Sequence, residues 1–270
     1  MYKLVALDMD GTLLNNRKEI TPRTKQALQL AREKGIKIVL ASGRPLDGMT
    51  RYLKELGISG DQEFVLYCNG SMVKELGSDE VIHQQILSGR DAKSVFQLAD
   101  KLGLDCHAFS SEYGVITPKH NPYTEIETKI NQIPVREMNF TELDDEHPIV
   151  KVLIVASEDA ITAAMKQIPS EFRERYNIVR SATHFLEFLH LKSSKGYGVE
   201  AIALALDIKP EQIVAMGDAE NDNHMIEYAG LGVAMGNAMD NTKQLANHIT
   251  LTNEEEGVAE VFEKMILTVE

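Results

Sequence analysis

The sequence predicts an α/β protein with a doubly wound, mainly parallel sheet, interrupted once by an inserted α+β domain. Three observations predict it. Short apolar runs alternate with helical patterns over residues 1–70 and again over residues 193–267, the order that gives a parallel sheet covered by helices. Most of those runs stop abruptly in small or acidic residues, and open α/β sheets carry their sites at the carboxyl ends of strands. Between the two stretches, about a hundred residues follow a foreign pattern of hairpins and strand–helix pairs, the usual mark of a second domain.

The first run, residues 4–7, ends in Asp8-Met9-Asp10-Gly11-Thr12. If strand geometry continues, side chains alternate and Asp8 and Asp10 share a face. Two such carboxylates repel, so one takes a proton unless a cation lies between them. A hard divalent cation such as Mg²⁺ suits oxygen ligands. Thr21 and Pro22 read as the N-cap and first residue of a helix that stops at Gly35. A second strand, residues 36–41, ends in Ser42-Gly43-Arg44-Pro45, and Pro45 opens a helix that stops near Gly57. A third strand, residues 64–67, ends in Cys68-Asn69-Gly70. Residues 71–75 and 81–86 read as a hairpin leading out of the sheet.

The inserted domain is expected over residues 84–189, with residues 1–83 and 190–270 forming the core domain. Its pattern is a capped helix over 88–102 stopped by Gly103, strands near 104–109 and 113–117, and a helix over 122–132. An apolar strand follows at 149–156, then a helix at 158–168 and strands at 178–180 and 185–190. The alternation then resumes. Ser193-Ser194-Lys195-Gly196 opens a helix to residue 206, and strand 213–216 ends in Gly217-Asp218-Ala219-Glu220-Asn221-Asp222. A helix to 228, a strand over 231–235 and helices over 240–246 and 257–267 close the chain.

Composition narrows the function. A net charge of −13 over 270 residues argues against a general nucleic-acid or anionic-membrane binder, which needs a basic face. It leaves room for a small phosphorylated metabolite in a locally positive site. No apolar run approaches the ~18 residues of a membrane span, and no secretory leader is read at the start, so a cytoplasmic location is expected. Cys68 and Cys106 read as reduced thiols that serve packing. No protein partner is implied.

Four strand ends or helix starts now carry chemistry: Asp8 with Asp10, Ser42, Lys195, and Asp218 with Asn221 and Asp222. Each alone is an ordinary cap, turn or solvated helix-end residue; their joint, ordered appearance changes the reading. Phosphoryl transfer is largely positioning and charge neutralisation. Asp8 would attack phosphorus, and Asp10 would protonate the leaving alcohol and then activate water. Ser42, with the nearby backbone of Met9 and Gly43, would hold phosphoryl oxygens. Lys195 would pair with a phosphoryl oxygen and with Asp8. Asp8, Asp10 and Asp218 would hold Mg²⁺, with Asn221 and Asp222 orienting ligands or the phosphate.

This ordered set resembles the haloacid dehalogenase-like hydrolase superfamily. Asp8-Met9-Asp10-Gly11-Thr12 is similar to its first motif, Ser42 to its second, Lys195 to its third, and Gly217-Asp218 with Asn221-Asp222 to its fourth. Ser42-Gly43-Arg44-Pro45, Asn69-Gly70, Phe185-Leu186-Glu187 and Lys195-Gly196 resemble the Cof subfamily, most closely its YidA-type sugar phosphatases. The resemblance spans essentially the whole chain. It implies a Rossmann-like core, a type C2 cap formed by the insertion, Mg²⁺ as cofactor, and a phosphatase rather than a dehalogenase, because Asp10 is present. Arg44, Asn69, His184 and Glu187 are candidates for lining the substrate cleft, with a structural salt bridge as the other reading of Glu187.

Several alternatives stay open at this stage. The substrate is expected to be a sugar phosphate, with a flavin precursor or pyridoxal phosphate as the second choice. The low aromatic content, 6% with no Trp, leans towards sugars. A phosphomutase uses the same acids, and a ligand-binding regulator would keep the fold without turnover. No G-x-x-x-x-G-K-[ST] loop or H-E-x-x-H pair occurs, which excludes P-loop and zincin chemistry.

Overall fold

The computed structural model describes residues 1–131 and 133–268. They form two compact units, Met1–Gln84 with Ser194–Glu270, and Gln85–Ser193. Residues 190–193, expected in the core domain, therefore fall in the second unit.

The first unit opens with β1 (Leu4–Leu7), α1 (Pro22–Glu33), β2 (Lys37–Ala41), α2 (Thr50–Leu56), β3 (Phe64–Tyr67) and the hairpin β4 (Met72–Glu75) and β5 (Val81–Gln84). Thr21 caps α1 by accepting from the Thr24 amide, and Pro22 occupies the first turn, where its missing N–H costs nothing. Pro45 itself is extended, at φ −68° and ψ 163°, so the second helix begins later than expected, after a 3₁₀ turn at Leu46–Gly48. Gly57 ends it in the left-handed conformation.

The second unit holds β6 (Leu87–Ser88), α3 (Gly89–Leu102), β7 (Asp105–Ser110), β8 (Gly114–Thr117), α4 (Pro122–Asn131), β9 (Val135–Glu137), β10 (Pro148–Val155), α5 (Glu158–Met165), α6 (Ser170–Arg175), β11 (Tyr176–Ala182) and β12 (Phe185–His190). The expected helix over 122–132 is present to Asn131; Gln132 lies outside the described residues. The sheet order is β11-β12-β10-β7-β8-β9, with β6 on the start of β10. Residues of α3 (Ala92, Val95, Ala99) and α5 (Ile161) pack on one face against Ala108, Val152 and Leu186. The short elements β6, β9 and α6 have too few residues for a periodic pattern and were not anticipated.

Ser88 caps α3 through a reciprocal box, its hydroxyl accepting from the Asp91 amide while the Asp91 carboxylate accepts from the Ser88 amide. Ser88→Ala removes the accepting hydroxyl and is expected to cost about 1 kcal/mol. Urea unfolding of the intact chain measures this; an unchanged midpoint would show that the cap does not support the helix.

The first unit resumes with α7 (Lys195–Ala205), β13 (Ile213–Gly217), α8 (Asn223–Tyr228), β14 (Leu231–Ala234), α9 (Asp240–Leu245), β15 (His248–Ile249) and α10 (Gly257–Val261), which runs on as a π turn over Phe262–Ile266. Its sheet order is β15-β14-β13-β1-β2-β3-β4-β5. Strands from β15 to β3 are parallel, and β4 and β5 are antiparallel. The hairpin thus extends the sheet rather than leaving it, pairing the open edge that β3 would otherwise present.

All four residues of β1 are buried, as expected of a parallel strand covered on both faces. Val5 and Leu7 pack with α1, α2 and α10 (Leu28, Leu53, Val258). Leu4 and Ala6 pack on the opposite face with α7 and α8 (Val199, Ile202, Met225). After β1 the chain builds the sheet one way through β2 and β3, and later the other way from β13. That reversal opens a crevice at the carboxyl ends of the central strands. Cys68 and Cys106 are both buried. Among the described residues, no helix is long and apolar enough to cross a membrane.

Candidate active site

β1 ends at Leu7, at the reversal of the sheet order, and the chain turns at Met9 and Asp10. Asp8 is left at the end of the central strand, 5% exposed. Its Oδ1 accepts a hydrogen bond from Lys195 Nζ at 2.5 Å, and the same ammonium donates to Asp222 Oδ1 at 2.6 Å. Lys195 is wholly buried. Burial works to lower its pKa, but Asp222 and Asp8 outweigh burial and hold it above the ordinary lysine value. The ammonium is tolerated there because two carboxylates flank it.

Asp222 is fixed from both sides. Its Oδ2 accepts from the amides of Asp218 at 2.9 Å and Ala219 at 3.1 Å, so the turn after β13 is folded around this side chain. Asp218 Oδ1 accepts from Thr12 Oγ1 at 3.1 Å, which ties the turn to the loop after β1. That approach needs Gly11. Its φ is +90°, and a Cβ there would stand 2.4 Å from Asp218 Oδ2.

Asp8, Asp218 and Asp222 each bring a carboxylate oxygen within 4.8 Å of the others. Burial first, then the Asp222 charge, pushes the Asp218 carboxyl up to about 6. Burial also drives Asp8 well above the carboxylate range, against the pull of Lys195. Three carboxylates around one ammonium are an excess of negative charge that a cation relieves, and an all-oxygen donor set fits a hard divalent ion.

Asp10 is placed differently from the expectation. Arg44 grips it with Nε on Oδ2 and Nη2 on Oδ1, both at 2.7 Å, and Lys18 Nζ donates to Oδ1 at 2.7 Å. Burial works to raise its pKa, but Arg44 and then Lys18 outweigh it and hold the carboxyl at about 2. Its carboxylate is not among the three clustered acids; Asp222 takes that place. The strand alternation that would put Asp8 and Asp10 on one face stops at Leu7, and the turn redirects Asp10.

The loops after β2 and β3 are stitched together. The Asn69 amide donates to Ser42 O, and the Cys68 amide to Arg44 O, both at 2.9 Å. Ser42 is buried, and its Oγ accepts from the Arg44 amide at 3.1 Å. Asn69 is left-handed at φ +56°, and its Oδ1 accepts from Asn221 Nδ2 at 3.0 Å. Ser42, Gly43, Arg44, Asn69, Asn221, Lys195 and the aspartates therefore gather at the carboxyl ends of β1, β2, β3 and β13.

Residues 5–262 match the family model of the haloacid dehalogenase-like hydrolases. The chain belongs to that family. YxeH of Bacillus subtilis (strain 168) is 37% identical over 269 residues, covering 99% of each chain. The 5-amino-6-(5-phospho-D-ribitylamino)uracil phosphatase YitU of the same strain is 30% identical over 272 residues, 95% of this chain and 94% of that one. A haloacid dehalogenase-like hydrolase from Bacteroides thetaiotaomicron, solved by crystallography, superposes with a TM-score of 0.86 at 33% identity, covering 98% of this chain and 100% of that one. With relatives named as phosphatases, this haloacid dehalogenase-like hydrolase is a phosphoric monoester hydrolase.

His184 and Glu187 lie in the second unit of this hydrolase. Glu187 is 2% exposed and accepts from Lys151 Nζ at 2.8 Å, with Glu127 a further 3.8 Å from the same ammonium. His184 Nδ1 lies 3.1 Å from Ala156 O, and its ring tilts on Tyr123. Sequence reasoning missed Lys18, which has no local signal. It also assigned no task to Thr12, although that residue stands inside the first motif.

Proposed function

We propose that this hydrolase is a Mg²⁺-dependent phosphatase of small phosphorylated metabolites, sugar phosphates first, acting through an aspartyl-phosphate on Asp8. The observation that carries the reading is the buried Asp8 carboxylate, held on one oxygen by Lys195, with Asp218 alongside. Asp8 attacks phosphorus in line with the leaving oxygen. Lys195, anchored by Asp222, pairs with a phosphoryl oxygen. Ser42, the backbone at Met9 and Gly43, and Asn221 hold the remaining oxygens. Asp8 and Asp218 would hold the cation, and Mg²⁺ bound there would supply positive charge that offsets the anionic substrate and favours the ionised Asp8.

Asp10 as found is an ionised carboxylate gripped by Arg44. It acts as acid only once the substrate phosphate draws Arg44 off and raises its proton affinity. It then gives its proton to the leaving alcohol and takes one back from the hydrolytic water. The second unit is read as the cap, and within it Glu187, buried on Lys151, takes the structural salt-bridge reading.

A second substrate class is favoured by one relative, since the name of YitU carries a phosphorylated ribityl chain. Sugar phosphates and that compound share a phosphate ester on a polyhydroxylated carbon chain. Phosphate release from a panel of sugar, ribityl and cofactor phosphates, with Mg²⁺ and with EDTA, tests the reading. Release without Mg²⁺, or from none of the compounds, overturns it. Gly11→Ala is expected to push Asp218 out of place and raise the Mg²⁺ concentration for half-maximal turnover about tenfold or more. A Mg²⁺ titration that overlays wild type would remove Asp218 from the cation's ligands.

A further inference from the structure

The turn over residues 218–224 fastens four parts of the first unit. Asp218 meets Thr12, Asn221 meets Asn69, Asp222 meets Lys195, and His224 meets Ser194. The first three belong to the site already described, and the fourth has no part in it. Ser194 is the N-cap of α7, and Lys195 is that helix's first residue. The Ser194 Oγ accepts from the Tyr197 amide at 3.3 Å and lies 2.6 Å from His224 Nδ1. The hydroxyl donates to a neutral Nδ1, or a protonated Nδ1 donates to the hydroxyl; a bond exists either way.

The imidazole also lies flush on the start of α7. A Cβ on Gly196 would come within 2.4 Å of His224 Cγ. Tyr197 meets the ring edge-on, with centroids 4.6 Å apart and planes at 88°. His224 therefore borders residues 194, 196 and 197, the neighbours of Lys195 on both sides.

We propose that His224 is a positioning residue for Lys195, acting through the Ser194 cap; this rests on the reading of Lys195 as the partner of the phosphoryl group. The physical argument concerns tolerance. Lys195 Nζ holds Asp8 and Asp222 at 2.5 and 2.6 Å, and charge-assisted bonds of that length weaken steeply with displacement. The place of its Cα is set by the first turn of α7, which Ser194 caps and His224 braces. A displacement near 1 Å in a catalytic array costs about 10²-fold in rate.

The test compares wild type, His224→Ala, His224→Asn, Ser194→Ala and the Ser194→Ala/His224→Ala double variant. The readouts are kcat and KM on p-nitrophenyl phosphate with Mg²⁺, and amide hydrogen exchange at residues 195–198. His224→Ala is expected to lower kcat about 10- to 100-fold with KM within about twofold. His224→Asn, whose amide can reach where Nδ1 stood, recovers most of the loss. The double variant is no worse than Ser194→Ala alone, because both changes break one link. Exchange at 195–198 quickens in His224→Ala and Ser194→Ala. Additive losses, an Asn variant as poor as the Ala variant, or unchanged exchange at 195–198 overturns the proposal. If wild type releases no phosphate, the phosphatase reading fails while the exchange data still decide whether His224 braces α7. If wild type turns over, Lys195→Met is dead and His224→Ala matches wild type, this inference alone fails.

Discussion

Asp8→Asn is expected to lower turnover by about 10⁴-fold or more while leaving the fold intact. The amide keeps the shape of the side chain and removes the nucleophilic oxygen charge. Stability should survive because the carboxylate is not at ease where it stands. Burial raises its pKa, Lys195 opposes that, and the Asp222 and Asp218 charges raise it further. Loss of one arm of the Lys195 pair is offset by loss of that repulsion, and Asp222 still holds the ammonium at 2.6 Å. Thermal melts with and without Mg²⁺ add a second check. Mg²⁺ should raise the melting temperature of wild type more than that of the variant, because a ligand stabilises the state that binds it. Normal turnover in Asp8→Asn would overturn the aspartyl-phosphate, and equal Mg²⁺ shifts would take Asp8 out of the cation site.

Lys195→Met has the opposite character, because it should damage stability as well as catalysis. It leaves Asp8 and Asp222, 5% and 0% exposed, without their shared cation. Breaking a buried pair by removing one partner costs about 3–5 kcal/mol. The deficit has a predicted pH dependence. Without the ammonium, the folded-state pKa of Asp8, already raised by burial, moves further above its unfolded value. The folded variant then binds more protons than the unfolded chain, so its stability falls as pH rises through those values. The gap to wild type should be widest near about pH 8 and should narrow towards about pH 5. Denaturant unfolding at the two pH values measures it. A constant gap would mean that packing of the lysine stem, rather than charge, sets the cost. Turnover should be lost at every pH, and a Lys195→Met enzyme with wild-type kcat would remove Lys195 from the chemistry.

Much of the fold was legible because its signals are local. Thr21-Pro22, Gly57, Ser88 and Gly103 mark helix ends through caps that need only neighbouring residues. Four-residue apolar runs such as residues 4–7 and 64–67 mark strands buried on both faces. The strand ends then pointed to Asp8, Ser42, Lys195 and Asp218, which the structure does gather. Short pieces such as β6, β15 and α6 escaped, since two to six residues carry no period.

The sequence by itself determined which residue types stand at the carboxyl end of each core strand, and so the class of chemistry this chain can perform. Only the tertiary structure decided which of them touch. Asp8 and Asp10 are two positions apart, yet one faces Lys195 and the other faces Arg44 and Lys18, because β1 stops at Leu7 and the turn breaks the alternation. Asp222 joins the charged cluster in place of Asp10 because the turn after β13 folds over its own carboxylate. Lys151 finds Glu187 and Ser194 finds His224 across 36 and 30 residues. Pairings of that range are set by the packing of whole elements, which periodicity, being a property of neighbours, does not encode.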